Sequence, residues 1–344
     1  MEIKRGTIVI FSTAYLPLVG GAENAIKGIT DYVADFHHIL LTARLKKSLP
    51  KSEKMGNITV YRLGFGSRFD KLLLPFLSTI KFTSLKREFE QPILFWGMMA
   101  SYGSLGAWLL KFFYPKIPFL LTIQEGDREW ERNRFWWRVI LEKVDYVTAI
   151  SSFLLIKVRE MGYRGKAEII PNGVDLNRFA NKDLRIKNGQ AIISVSRRVH
   201  KNGIDILEKA FEIVKKKFPD AELRIISDAK HEDVPRYLHE AYVFVRPSRS
   251  EGLGISFLEA MAAGLPIIAT SVGGIRDFLI DRETGLEIKV DDPEDLAKKI
   301  ELLFTDKALR ERLVKNGLKL VEEKYQWSKI ARDMNKIFLE LCGF

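Results

Sequence analysis

The sequence predicts an α/β protein of two domains, each a parallel sheet with helices on both faces. Three observations carry this expectation. Short apolar runs rich in β-branched residues alternate with stretches of helical spacing along the chain, the pattern of repeated βα units. At 344 residues, 47% hydrophobic and 29% charged, the chain is long enough for two ordinary domains with a core each. A turn-rich stretch, Pro171-Asn172-Gly173, followed by a connection from Asn177 to Gly189, divides it near the middle.

In order along the first half, strands are expected at Thr7–Phe11, His38–Thr42, Thr59–Arg62, Ile93–Trp96, Phe119–Ile123, Tyr146–Ile150 and Glu168–Ile170. The basic start and apolar run of MEIKRGTIVIFSTAY resemble a signal peptide, but the run is short and polar after Phe11, which favours a first strand. From Gln91 to Leu110 there is no charge, about the length of a bilayer span. Here Pro92 to Gly97 reads as a strand ended by glycine and Ser101 to Phe113 as a helix, so a buried βα unit is expected. In the second half, strands fit Ala191–Val195, Glu222–Ile226, Tyr242–Val245 and Pro266–Ala269. No internal repeat or low-complexity segment interrupts the series. Cys342 is the only cysteine, so an internal disulfide is impossible and a reducing cytoplasm is the expected compartment.

Sites in such sheets form at the carboxyl ends of strands. Gly20, Gln124-Glu125-Gly126-Asp127, Ser151-Ser152, Arg197 and Glu251 all follow strands. The richest stretch is Ser248 to Gly264, SRSEGLGISFLEAMAAG. Gly252 and Gly254 permit a sharp turn and close backbone approach. From Ile255 the apolar residues Phe257, Leu258, Met261 and Leu265 take helical spacing. A helix N-terminus reached through such a turn offers unpaired N–H groups to a diphosphate. Glu251 and Glu259 bracket it, and since carboxylates repel phosphate their expected task is to accept hydrogen bonds from sugar hydroxyls. The pattern reads as a nucleotide-sugar site. Two other readings stay open on the local pattern: generic strand–turn–helix scaffolding, and a dinucleotide fingerprint, which wants glycine where Phe257 stands.

The run Ser248-Arg249-Ser250-Glu251-Gly252-Leu253-Gly254, then Leu258-Glu259-Ala260-Met261-Ala262-Ala263-Gly264-Leu265-Pro266, then Gly273-Gly274, resembles the donor-site signature of family 4 glycosyltransferases. Gly20-Gly21-Ala22-Glu23, Ile170-Pro171-Asn172-Gly173-Val174-Asp175, Ser196-Arg197, Thr284-Gly285-Leu286, Asp291-Asp292-Pro293 and Tyr325-Gln326-Trp327 follow in the family's order, from about residue 6 to the end. The resemblance implies the GT-B fold, two Rossmann-like domains facing across a cleft. It places an acceptor-side domain at 1–175, a donor domain at 176–325, and a last helix within 326–344, roughly Ser328 to Leu341, crossing back to the first domain. It implies transfer from a nucleotide-diphosphate sugar with retention of configuration, with neither metal nor other cofactor.

Such a transfer gathers charge on the leaving diphosphate, which preorganised cations must meet. Arg197 and Lys201, just past the strand Ala191–Val195, are the candidates. By similarity Glu251 binds the transferred sugar and Glu259 the ribose diol, while the amides of Gly254, Ile255 and Ser256 cradle the phosphate. Gly20 and Gly21 let the first domain approach it, and Asn172 joins the donor side. Three departures stand out. His200-Lys201-Asn202-Gly203 puts Asn202 where the family has lysine before glycine, so either Lys201 reaches in or Asn202 gives a neutral hydrogen bond, about half as strong as a charged one. Ile225-Ile226-Ser227-Asp228 passes almost directly to Val234-Pro235-Arg236, where relatives carry a further helix and strand near the base. Glu125 or Asp127 stands where many relatives have histidine, either to orient an acceptor hydroxyl or to cap a helix near Arg128.

The net charge of +11 is uneven, since residues 1–180 hold 26 Lys and Arg against 17 Asp and Glu. Arg68, Lys71, Lys81, Lys86 and Arg87 are interleaved with Phe69 to Leu85, and Arg128 to Arg138 carries Trp130, Trp136 and Trp137. Each stretch reads either as a helix lying on an anionic membrane or as a core-facing helix with a solvated basic face. The expected acceptor is a glycan, lipid-linked or small-molecule hydroxyl, and the expected location cytoplasmic, peripheral on the membrane's inner face. No nucleic-acid motif accompanies the charge. The five histidines show no metal-ligand spacing, and His37 and His38 read as surface or packing residues. Two rival functions share the same residues: a nucleotide-sugar epimerase, which converts donor without acceptor, and a non-catalytic nucleotide-sugar binder.

Overall fold

A computed structural model of the chain describes residues 5–18, 20–124, 134–180, 189–227 and 229–344. The chain divides into two units, Met1–Asn172 with Trp327–Phe344, and Gly173–Gln326.

The first unit holds an eight-stranded sheet. Its strands are β1 (Thr7–Phe11), β2 (His37–Ala43), β3 (Ser52–Met55), β4 (Ile58–Leu63), β5 (Ile93–Met98), β6 (Phe119–Ile123), β7 (Tyr146–Ala149) and β8 (Lys166–Ile169), in the spatial order β3-β4-β2-β1-β5-β6-β7-β8. All neighbours run parallel except β3, which pairs antiparallel with β4 at the edge. To the parallel sheet that the sequence predicts, β3 thus adds an antiparallel edge strand. Ser52-Glu53-Lys54-Met55 is polar and buries none of its residues, so it carries no apolar signal. The central strands β1, β5 and β6 are buried at every position, as strands covered on both faces must be. A polar ladder crosses this core: Trp96 donates Nε1–H to Thr122 Oγ1 at 2.8 Å, and Thr122 and Thr148 share a 2.7 Å hydrogen bond.

The helices α1 (Gly21–Thr30), α2 (Asp70–Leu85), α3 (Tyr102–Phe113), α4 (Arg134–Leu141) and α5 (Ser152–Glu160) follow the strands. The uncharged stretch from Gln91 becomes β5 and most of α3, and no helix among the described residues is long and apolar enough to cross a membrane. The helix α2 lies along α3, and small residues let them approach: a Cβ on Gly106 would stand 2.9 Å from Ser78 Cβ. Asp70, Leu74, Pro75, Ser78 and Phe82 face inward. Leu72, Leu73, Phe76 and Ile80, with Phe69 just before the helix, are exposed, Phe76 and Ile80 by 63% and 66%. The outer face of α2 is thus an apolar stripe with lysines beside it, not a merely basic one.

The second unit holds β9 (Ala191–Val195), β10 (Glu222–Ile226), β11 (Val243–Arg246), β12 (Ile267–Thr270) and β13 (Leu286–Ile288), all parallel in the order β10-β9-β11-β12-β13. Its helices are α6 (Leu176–Phe179), α7 (Ile204–Lys217), α8 (Val234–His239), α9 (Ile255–Ala262), α10 (Pro293–Thr305) and α11 (Lys307–Lys324). The order reverses between β9 and β11, the switch point where open α/β sheets bind ligands.

The last helix, α12 (Trp327–Cys342), belongs to the first unit. Ile330, Met334, Ile337 and Phe338 form one buried face. Phe338 meets Trp96 edge-on at 5.2 Å between ring centroids and Phe36 at 6.2 Å. Trp327 covers Gly28 of α1 so closely that a Cβ there would fall 2.5 Å from the indole.

Candidate active site

In the second unit the loops after β9 and β11 are locked together at the switch point. The turn His200–Asn202 ends at Gly203, whose φ is +68° and where a Cβ would meet the Pro247 carbonyl oxygen at 1.9 Å. Only glycine satisfies both conditions. The Arg249 amide donates to the Lys201 carbonyl at 2.7 Å. Its guanidinium grips Asp205 bidentately at 2.8 and 2.7 Å, Asp291 at 2.6 Å and the His200 carbonyl at 2.6 Å. Hydrogen bonds from Arg249 hold the Asp205 carboxyl below the usual carboxylate range. Arg197 stands exposed beyond the end of β9, and Lys201 is half-buried in the following turn. Asn202 is buried and donates its amide to the Arg197 carbonyl at 2.8 Å, so its side chain braces this loop.

The glycine turn opens α9 where the sequence places it. Gly254 caps the helix at φ +90°, and among the described residues the amides of Gly254, Ile255 and Ser256 make no backbone hydrogen bond. The first amide with a partner is that of Phe257, to the Gly254 carbonyl at 3.0 Å. Three donors at the positive end of the helix are thereby available to an anion. Gly273, at φ +54°, pins the loop after β12 onto the same turn, since a Cβ there would lie 1.9 Å from the Glu251 carbonyl oxygen.

Glu251 is held by Arg246, a residue the sequence reading missed. Arg246 ends β11 and is 6% exposed. One Nη contacts Glu251 Oε2, the other donates to Ser256 Oγ at 2.9 Å, and Nε–H donates to Ser248 Oγ at 3.1 Å. The guanidinium also lies 4.5 Å from the centroid of Phe257. Glu251 Oε1 accepts the Gly252 amide at 3.0 Å. The usable signal was a charge closing an otherwise apolar strand, because a buried charge must be paired.

Glu259, one turn into α9, is 6% exposed and meets His231 Nε2 at 2.8 Å. His231 in turn meets Arg178 of α6. Neither partner was among the expected site residues, and no local spacing marks them, since they lie 28 and 81 positions from Glu259. Among the described residues no group of three or more His, Cys, Asp or Glu is arranged to hold a metal ion.

In the first unit, Gly20 and Gly21 open α1. Burial raises the Glu23 carboxyl above its ordinary pKa, opposed by its hydrogen bonds to the amides of Glu23 and Gly20. A Cβ on Gly20 would stand 2.5 Å from Glu23 Oε2, the free end of a flexible side chain that can turn aside. Gln124 follows β6 and forms a reciprocal amide pair with Asn172, at 2.7 and 3.0 Å. Glu125 and Asp127 lie outside the described residues, as does Trp130. Trp137 of α4 is buried and Trp136 exposed.

Two parallel-sheet α/β units, one with a glycine-turned helix start at its switch point, define a GT-B protein. Sucrose-phosphate synthase from Thermosynechococcus elongatus superimposes with a TM-score of 0.82 over 97% of this chain and 98% of that one, at 21% identity. Residues 19–178 match the model of glycosyltransferase family 4, and residues 226–320 that of glycosyl transferases group 1. An uncharacterized glycosyltransferase of Methanocaldococcus jannaschii is 28% identical over 65% of this chain and 69% of its own. The GDP-mannose-dependent monoacylated alpha-(1-6)-phosphatidylinositol monomannoside mannosyltransferase of Corynebacterium glutamicum is 28% identical over 58% and 63%. The chain belongs to the family 4 glycosyltransferases, and it is a transferase.

Proposed function

We propose that this enzyme moves a sugar, with retention, from a nucleotide-diphosphate sugar to the hydroxyl of a glycan, lipid-linked or small-molecule acceptor. The observation that carries the proposal is the open, glycine-turned start of α9 with a held carboxylate on either side, Glu251 and Glu259. In this reading the amides of Gly254, Ile255 and Ser256 receive the diphosphate, beside Gly252. Arg197 and Lys201 take up the charge that develops on the leaving phosphate, the work a metal does elsewhere, so none is needed. Asn202 keeps the Arg197 loop in place. Glu251 binds the transferred sugar and Glu259 the ribose. On the family resemblance Gly20, Gly21 and Asn172 are further donor-binding residues, and Glu125 and Asp127 acceptor-side ones. The departing phosphate draws the proton from the acceptor hydroxyl on the same face, which accounts for retention without a protein nucleophile. Thermal unfolding with uridine, guanosine and adenosine diphosphates tests the donor site. One of them at about one hundred times its dissociation constant should add roughly 2.7 kcal/mol, and Glu259→Ala should remove that gain. No stabilisation by any of the three would overturn the reading.

The acceptor side is further proposed to work at an anionic membrane surface. The exposed stripe of Phe69, Leu72, Leu73, Phe76 and Ile80 has Arg68, Lys71 and Lys81 beside it, while the one acidic residue of α2, Asp70, is buried. Apolar side chains at an interface flanked by cations suit a bilayer carrying negative lipids. The Corynebacterium relative is named for a phosphatidylinositol-based acceptor, which agrees with this reading. Co-sedimentation with phosphatidylglycerol vesicles at low salt is expected for the wild type, and Phe76→Glu with Ile80→Glu should abolish it while leaving nucleotide stabilisation intact. Equal sedimentation of both proteins would refute the stripe's role.

A further inference from the structure

The carboxylate read above as the ribose ligand is the end of a three-residue relay. His231 sits in a short turn, His231–Asp233, between Arg178 and Glu259. Arg178 donates one Nη–H to His231 Nδ1 at 2.8 Å and contacts the His231 carbonyl with the other. A guanidinium has no acceptor, so Nδ1 must accept, and the ring proton is fixed on Nε2. Nε2 then donates to Glu259 Oε1 at 2.8 Å. The buried Phe179 packs beside the imidazole, with the two rings tilted by 55° and their centroids 5.9 Å apart. Among the described residues, Oε1 is the oxygen of Glu259 that this network engages, which leaves Oε2 as acceptor for a hydroxyl.

We propose that Arg178 and His231 are positioning residues that make Glu259 a selective acceptor for the ribose hydroxyls of the donor. The proposal rests on the reading of Glu259 given above. A carboxylate with one oxygen pinned is held in a single orientation, and a site built to bond a substrate hydroxyl rejects the analogue that lacks it. The chain thus places its ribose recognition in the compact segment after β10, joined to the helix α6 at the start of the unit.

The test compares dissociation constants of uridine and guanosine diphosphates with those of their 2′-deoxy counterparts. Hydrogen bonds to charged groups set the expected preference, roughly 10- to 100-fold for the ribose form in the wild type. His231→Ala should reduce the ratio to within about threefold. His231→Gln, whose amide can donate from near the Nε2 position, should restore most of it. Arg178→Met, which frees the tautomer, should fall between. Glu259→Ala separates the two levels of the argument. If Glu259→Ala keeps the wild-type ratio, the ribose reading fails, and the relay with it. If Glu259→Ala loses the ratio while His231→Ala and Arg178→Met both keep it, the relay alone is overturned. Melting midpoints without ligand show whether each variant is folded, and Arg178→Met with His231→Gln decide the matter if His231→Ala is not.

Discussion

Replacing Arg246 by methionine is expected to destabilise the enzyme by about 3–5 kcal/mol, the cost of leaving a buried carboxylate without its cation. The side chains of Arg246 and Glu251 are 8% and 18% exposed, so water cannot substitute fully for the lost partner. Ser248 and Ser256 would lose their donor as well. Methionine fills much of the volume and keeps contact with Phe257, so the loss reports the charge rather than a cavity. Denaturant unfolding at unchanged m-value gives the number. The double variant Arg246→Met, Glu251→Gln should recover most of it, because the uncompensated charge is then gone. A single-variant loss below about 1 kcal/mol would place the pair among those that contribute little.

Arg197→Ala should act in the opposite way, on rate and not on folding. An exposed side chain away from packing changes stability by no more than about 0.5 kcal/mol. Removing a preorganised group aimed at charge that develops in the transition state costs about 10²–10³ in kcat. Because the interaction strengthens only as the diphosphate leaves, kcat and kcat/KM should fall together with KM little changed. Steady-state kinetics with the donor found by thermal unfolding measures this. A kcat within about threefold of wild type would remove Arg197 from the chemistry and leave Lys201 as the cation to examine.

Much of the fold was legible because buried parallel strands write themselves as apolar runs. Thr7–Phe11, Phe119–Ile123, Ala191–Val195 and Glu222–Ile226 have the bounds that their composition implies. The polar edge strand β3 and the three-residue β13 were not legible, since neither makes an apolar run of its own. The start of α9 was readable because its chemistry is local, two glycines and two glutamates within nine positions. The partners of those glutamates were not. Arg178 and His231 reach Glu259 through tertiary folding alone, and no periodicity announces a contact across so many residues. Arg246 differs: it was visible as a charge at the end of an apolar strand, and only the demand that it be paired was left unused.

The return of α12 to the first unit has a consequence for synthesis of the chain. The surface formed by Ile26, Phe36 and Trp96 is completed by Ile330, Met334 and Phe338, which leave the ribosome only after the whole of Gly173–Gln326. At about 5–20 residues per second, an apolar face of the earlier unit waits roughly ten to thirty seconds for its cover. A segment made after the whole of Gly173–Gln326 thus closes a core begun before it, and until it emerges that apolar face has no cover from its own chain.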